Sequence, residues 1–205
     1  MMPVITTRAR TGLNRAIRFF LFALALVPPL RADEWALLVE PSFMDYKMRR
    51  PIEDSQRTIL AIARIIDGEI HPLTREEKKS VHMTYPQIRE EALQTASRVF
   101  KQMKPRLVRN NKKVIQYASI ESDDPLTASC VLAPEFAEAF HDTLGPDLLV
   151  AMPTRNQVLV FSRQDDVHLR MAEEIINAYL SSNYPVSREI FALENGNLRS
   201  LGVLE

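Results

Sequence analysis

Two rhythms of apolar residues run along this chain. Between positions 88 and 103, Ile88, Ala92, Leu93, Ala96, Val99, Phe100 and Met103 recur at three- and four-residue spacing. That spacing is one face of an amphipathic helix. Thr84 and Gln87 stand three residues apart just ahead of it, the capping-box pattern that starts a helix. Pro105 closes it, since proline cannot continue the ladder. A second long helix follows Asp165 or Asp166, with Leu169, Ala172, Ile175, Ile176, Tyr179 and Leu180 on its apolar side. Two shorter helices are expected over 125–132 and 134–144, ended by Gly145-Pro146.

The other rhythm is the short apolar run bounded by turn residues, which reads as a strand. Such runs are WALLV at 35–39, TILAIARII at 58–66, the segment 69–73, 106–108 with VIQYASI at 114–120, DLLVAM at 147–152, VLVFS at 158–162, and 190–193 with 198–203. Segment 43–51 is irregular, and basic at Lys47, Arg49 and Arg50. Asp67-Gly68 and Asn195-Gly196 each sit between apolar runs, a type I′ hairpin signal because both central residues need positive φ. Tight hairpins impose antiparallel pairing. The helices fall between hairpins rather than after each strand, which favours α+β over a doubly wound α/β fold. The expectation is antiparallel hairpins forming a mixed sheet covered by two longer helices, both on one face.

Charge changes the picture at the N-terminus. Residues 1–32 carry Arg8, Arg10, Arg15, Arg18 and Arg31 and no lysine or acid, so a chain of zero net charge leaves −5 on residues 33–205. After Arg18 comes FFLFALALV at 19–27, then Pro28-Pro29 and Leu30-Arg31-Ala32. Basic region, short apolar core and small residue is the order of a secretory signal peptide. The arginine-rich, acid-poor composition also suits a mitochondrial transit peptide, but the compact apolar core favours export. A spanning helix needs roughly 20 apolar residues, so this stretch reads as an address rather than an anchor. Cleavage is expected after Ala32. That leaves one α+β domain over 33–205, exported to the periplasm or beyond, with no stable membrane span. Cys130 is the sole cysteine, so no internal disulfide can form.

The C-terminal part resembles a YtpQ-like bacterial family, catalogued as a domain of unknown function. The residues that carry the resemblance are DPLTASCVL at 124–132, GPDLLVAMPTR at 145–155, the helix to Asn183, and YPVSR at 184–188 running into the Asn195-Gly196 turn. The similarity spans about residues 114–200. In that family a similar apolar strand ends in a proline-containing turn, followed by a second strand and a helix. The resemblance implies an α+β body and implies no reaction, cofactor or catalytic residue.

Candidate chemistry is sparse. His71, His82, His141 and His168 are scattered without metal-site spacing. There is no G-x-S-x-G elbow for a serine nucleophile. Cys130 lies in an apolar run and reads as a buried thiol. Glu121, Asp123 and Asp124 lack calcium-loop spacing and read as acids at a helix N-terminus. Arg155, at a turn between two apolar strands, is the polar residue to watch. Trp35, Phe43 and Tyr46 form either core or an exposed aromatic patch. From Lys101 to Lys113 six cations occur without an acid, also counting Lys104, Arg106, Arg109 and Lys112. No aromatic is interleaved there for base stacking, and the acidic body speaks against a nucleic-acid partner. The first expectation is therefore a non-enzymatic module for protein interaction or binding, with a protein partner possible, no catalytic or metal-ligating residue, and no cofactor. The alternatives are an enzyme of unidentified class with a site assembled from Arg155, Asp124 and the histidines, and a binder of anionic polymer or membrane surface through 101–113.

Overall fold

A computed structural model describes residues 33–205, with Asn195 left out; the expected leader lies outside the described residues. Ten strands and five α-helices are described, and the α+β reading holds. The hairpins divide over two sheets. The smaller is built on β3 (Thr58–Ile66). On one side β3 pairs with β1 (Glu34–Pro41); on the other it pairs in line with β2 (Arg49–Pro51) and β4 (Glu69–Pro72). Asp67 and Gly68 have φ of 53° and 87°, the two positive values a type I′ turn requires.

The larger sheet has the order β10-β9-β7-β8-β6-β5, all antiparallel. Its strands are β5 (Arg106–Arg109), β6 (Ile115–Glu121), β7 (Leu148–Thr154), β8 (Gln157–Ser162), β9 (Glu189–Glu194) and β10 (Asn197–Val203). Gly196 has φ of 72° at the last turn.

The central strands β7, β8 and β9 are apolar on both faces, because alternate side chains enter two different cores. Val150, Met152, Val158, Val160 and Phe191 face the first core; Leu149, Ala151, Leu159, Phe161 and Ala192 face the second. Full burial of a large apolar side chain contributes about 1.5–3 kcal/mol, so neither face can stay open to water.

The helices answer that demand from opposite sides. On the first core lie α2 (Tyr85–Gln102), a short 3-10 helix at Ala128–Leu132, α3 (Phe136–Leu144) and the smaller sheet. The Phe100 and Phe136 rings meet at 4.9 Å. On the second core lie α4 (Val167–Arg170) and α5 (Ala172–Ser181). The two expected long helices therefore do not share a face. The second is also interrupted at Met171.

Two elements went unread in the sequence. One is three-residue β2, in the segment taken as irregular. The other is α1 (Arg75–Ser80), started by a capping box in which the Glu77 amide donates to Thr74 Oγ1 at 3.2 Å and the Thr74 amide donates to Glu77 Oε2 at 2.9 Å. Among the described residues no helix is long and apolar enough to cross a membrane.

A buried carboxylate ties the segment before β3 to the larger sheet. Glu189 is 1% exposed. It accepts hydrogen bonds from Thr58 Oγ1 at 2.6 Å, Ser55 Oγ at 2.7 Å, the Gln56 amide at 2.9 Å and Ser200 Oγ at 3.2 Å. Replacing it takes the acceptor from all four donors, of which the Thr58 and Ser200 hydroxyls are buried, at about 1–3 kcal/mol for an unsatisfied buried group. Glu189→Leu is therefore expected to lower unfolding stability in a urea titration by roughly 2–4 kcal/mol. A loss under about 0.5 kcal/mol, the range of an ordinary surface change, would show that the network carries no weight.

Candidate functional site

The residues singled out in the sequence do not converge. Asp124 opens the turn before the 3-10 helix: its Oδ1 accepts the Leu126 amide at 2.8 Å. Glu121 stands 3.7 Å from Arg106, and Asp123 is exposed. Cys130 is fully buried, and burial pushes its thiol up to about 12, the direction that disfavours a thiolate. Its neighbour Ser129 accepts the Val39 amide at 3.1 Å and so covers the outer edge of β1. His71 and His141 are exposed beside Glu69 and Asp142, His82 is exposed on the segment after α1, and His168 lies beside Phe161 at the second core. Among the described residues no three histidine, cysteine or acidic side chains stand together to hold a metal ion.

Arg155 is committed inward. Its guanidinium donates to Glu40 Oε1 at 2.8 Å, and Tyr184 lies under it at 5.3 Å. Its amide and carbonyl are bonded to Tyr184 and Ala128. The pair joins β1 to the β7–β8 turn. Burial of Glu40 raises its carboxyl above the usual range, and Arg155 only partly offsets this. Burial likewise raises the Tyr46 phenol, helped by the Glu40 charge. Of the aromatic trio, Trp35 is buried, Tyr46 is half-buried and Phe43 is exposed, so no joint patch forms.

The basic stretch occupies the end of α2 and β5, the outer strand of the larger sheet. Lys101 and Arg106 have acidic neighbours at 3.7 Å, in Glu135 and Glu121. Lys104, Arg109, Lys112 and Lys113 form no ion pair among the described residues. Lysine on an edge strand also guards against unwanted strand pairing.

A concave cationic site emerges elsewhere. The apolar stripe of α2 packs on β1 and the interior, which leaves a furrow between the start of α2 and β2. Two recesses open there, of about 410 and 520 Å³, within the size range of small-ligand pockets. They share Arg50 and Tyr85. The first has a floor of Leu37, Ile52, Leu60 and Leu198, with Arg89 at its mouth and Glu53 at its margin. The second has a floor of Met48, Ile62, Leu73 and Ile88, ringed by Lys47, Arg49 and Lys78.

Arg50 rests over the Tyr85 ring, 4.3 Å from its centroid. The ring satisfies the cation's face and leaves the guanidinium's N–H rim for an anion. Arg89 donates to Asn197 Oδ1 at 3.0 Å, and Arg49 to the Ser42 carbonyl at 3.2 Å. Lys47 is paired with Asp45. Arg49, Arg50, Lys78 and Arg89 form no ion pair among the described residues. The sequence offered one signal for this site, the basic run Lys47–Arg50. Tyr85 and Arg89 were legible only as helix positions.

Comparison with protein-family models, with curated proteins and with solved structures returned no match for this chain.

On the other flank of α2, a hollow of about 670 Å³ is lined by Asp33, Glu34, Glu90 and Glu91, with Arg98 bonded to Glu34. The helix thus separates an acidic furrow from a basic one.

Glu40 sets a pH dependence. Its folded pKa lies above its ordinary 4.5, so the native state holds the proton more tightly than the unfolded chain. The stability linked to that proton is complete below 4.5 and is lost as pH rises through the folded value. Glu40→Gln removes the titration and keeps a carbonyl for Arg155. Urea midpoints should therefore fall less steeply from pH 4.5 to neutrality in the variant than in the wild type. Parallel profiles would contradict the assignment.

Proposed function

We propose that this chain is an exported, non-enzymatic binding domain whose ligand is negatively charged and sits in the cleft at Arg50. The observation that carries the reading is the stack of Arg50 on Tyr85 between two apolar-floored recesses, with Arg49, Lys78 and Arg89 around it and outside any ion pair among the described residues. Concavity, apolar floor and a few oriented polar groups are the ingredients of a ligand site. Against the enzyme alternative, Asp124 serves a turn and Arg155 serves Glu40. Export is supported by the basic, apolar, small-residue order of 8–32, and kinship with the YtpQ-like family by the segments 124–132 and 145–155. The former builds the turn and 3-10 helix, the latter the central strand β7.

A second reading, contact with an anionic polymer or membrane through 101–113, is favoured by one observation: β5 is a sheet edge with four cations on or beside it that form no ion pair among the described residues. Charge reversal separates the two. Titration of the purified protein with polyglutamate, heparin, polyphosphate and phosphatidylglycerol vesicles should find binding that weakens with salt. Arg50→Glu should lower that affinity about tenfold, 1.4 kcal/mol, while Lys112→Glu with Lys113→Glu leaves it unchanged. The reverse pattern would place the ligand on β5. No salt-dependent binding to any probe would overturn both readings.

A further inference from the structure

We propose that the occupant of the cleft is an acidic peptide segment that seats two apolar side chains, one in each recess, with its carboxylates meeting Arg50 between them. This rests on the reading that the cleft is the ligand surface, and it names the ligand's chemistry.

The arrangement of charge and apolar surface selects the class. The recesses, of about 410 and 520 Å³, meet at Arg50 and Tyr85, the residues that line both. The cation therefore stands between two apolar floors rather than at one end of a single slot. A polyphosphate or polysaccharide meets the cations but has nothing to place against Leu60 and Leu198 on one side or Met48 and Ile62 on the other. A single-headed lipid carries its charge at one end, so it fills one recess and leaves the other open to water. A peptide with acidic residues between two aliphatic or aromatic ones satisfies both floors and the ridge at once.

Charge complementarity points the same way. Arg49 and Lys78 line the second recess and Arg89 the first, none of them in an ion pair among the described residues, while Glu53 is the one acid among the residues lining either. Stacked on its ring, Arg50 is held in place before the ligand arrives, which lowers the ordering cost of a carboxylate fork.

The mode is side-chain recognition rather than an added strand. The Ile62 amide bonds the Met48 carbonyl, and in the antiparallel alternation that follows, the backbone of Arg50 turns toward β3 and that of Arg49 and Pro51 turns outward. Pro51 has no N–H, so the outer edge of β2 is a poor template for a new strand.

The test is selection of a random dodecapeptide library on the purified protein, followed by titration of a synthetic consensus peptide. Enriched peptides should carry acidic residues flanked by two apolar ones. The peptide's affinity should fall tenfold or more with Arg50→Glu and severalfold with Tyr85→Ala, and also on alanine replacement of either apolar peptide residue. Arg50 is exposed and Tyr85 half-buried, and unchanged melting temperatures confirm that both variants fold. Enrichment of peptides without acids, or affinity indifferent to Arg50→Glu, overturns the proposal. If polyphosphate or phosphatidylglycerol vesicles depend on Arg50 while no peptide does, the peptide assignment fails and the anionic cleft stands. If no probe responds to Arg50→Glu, both fail together.

Discussion

Everything in this fold follows from a sheet that cannot leave either face wet. The segments 148–152 and 158–161 are apolar without a break, and their side chains alternate between two cores. Strands buried on both faces read as continuous apolar runs rather than as an alternation. One face is met by the short pair α4 and α5. The other needs more cover, and the chain supplies the smaller sheet, α2, the 3-10 helix and α3. Polar ties then join the smaller sheet to the larger: Glu189 with the hydroxyls of Ser55, Thr58 and Ser200, and Glu40 with Arg155.

The cleft is a by-product of that arrangement. A helix has one apolar stripe, and the stripe of α2 is used on β1 and the aromatic cluster of Phe100, Phe136 and Phe140. The outer half of the smaller sheet, where β2 and β4 line up along β3, is left beside the helix rather than beneath it. The apolar floor there is real core surface, only partly roofed. The side chains at its rim are cations because β2 contributes Arg49 and Arg50 and α2 contributes Arg89 from the margin of its stripe. The charge of the cleft is thus set by residues that the core does not claim.

Local signals were legible in the sequence, and long-range ones were not. Asp67-Gly68 specifies its hairpin because the turn needs positive φ twice, and the period of α2 shows on any helical wheel. The β7 and β8 runs announce strands but do not say which sheet they join, since partition depends on pairings such as Leu149 with Ala192, far apart in the chain. Helix α1 was signalled by Thr74-x-x-Glu77, yet it buries no residue and so shows no apolar period. Strand β2 is too short for any rhythm. Nothing near Glu189 in sequence marks its hydroxyl partners, since Ser55 and Thr58 lie more than 130 positions away. The cleft stayed hidden for the same reason, as Arg50, Tyr85 and Arg89 come from separate elements.

Two-sided burial of the central strands is tested most directly by native-state hydrogen exchange. The amides of Leu149, Val150 and Ala151 in β7, and of Leu159 and Val160 in β8, should be the slowest in the molecule. They should exchange only through global unfolding, with opening free energies equal to the unfolding free energy. The amides of α1 and β2 should exchange far sooner. Central-strand amides that open well below the unfolding free energy, or ahead of those in α1, would contradict the account.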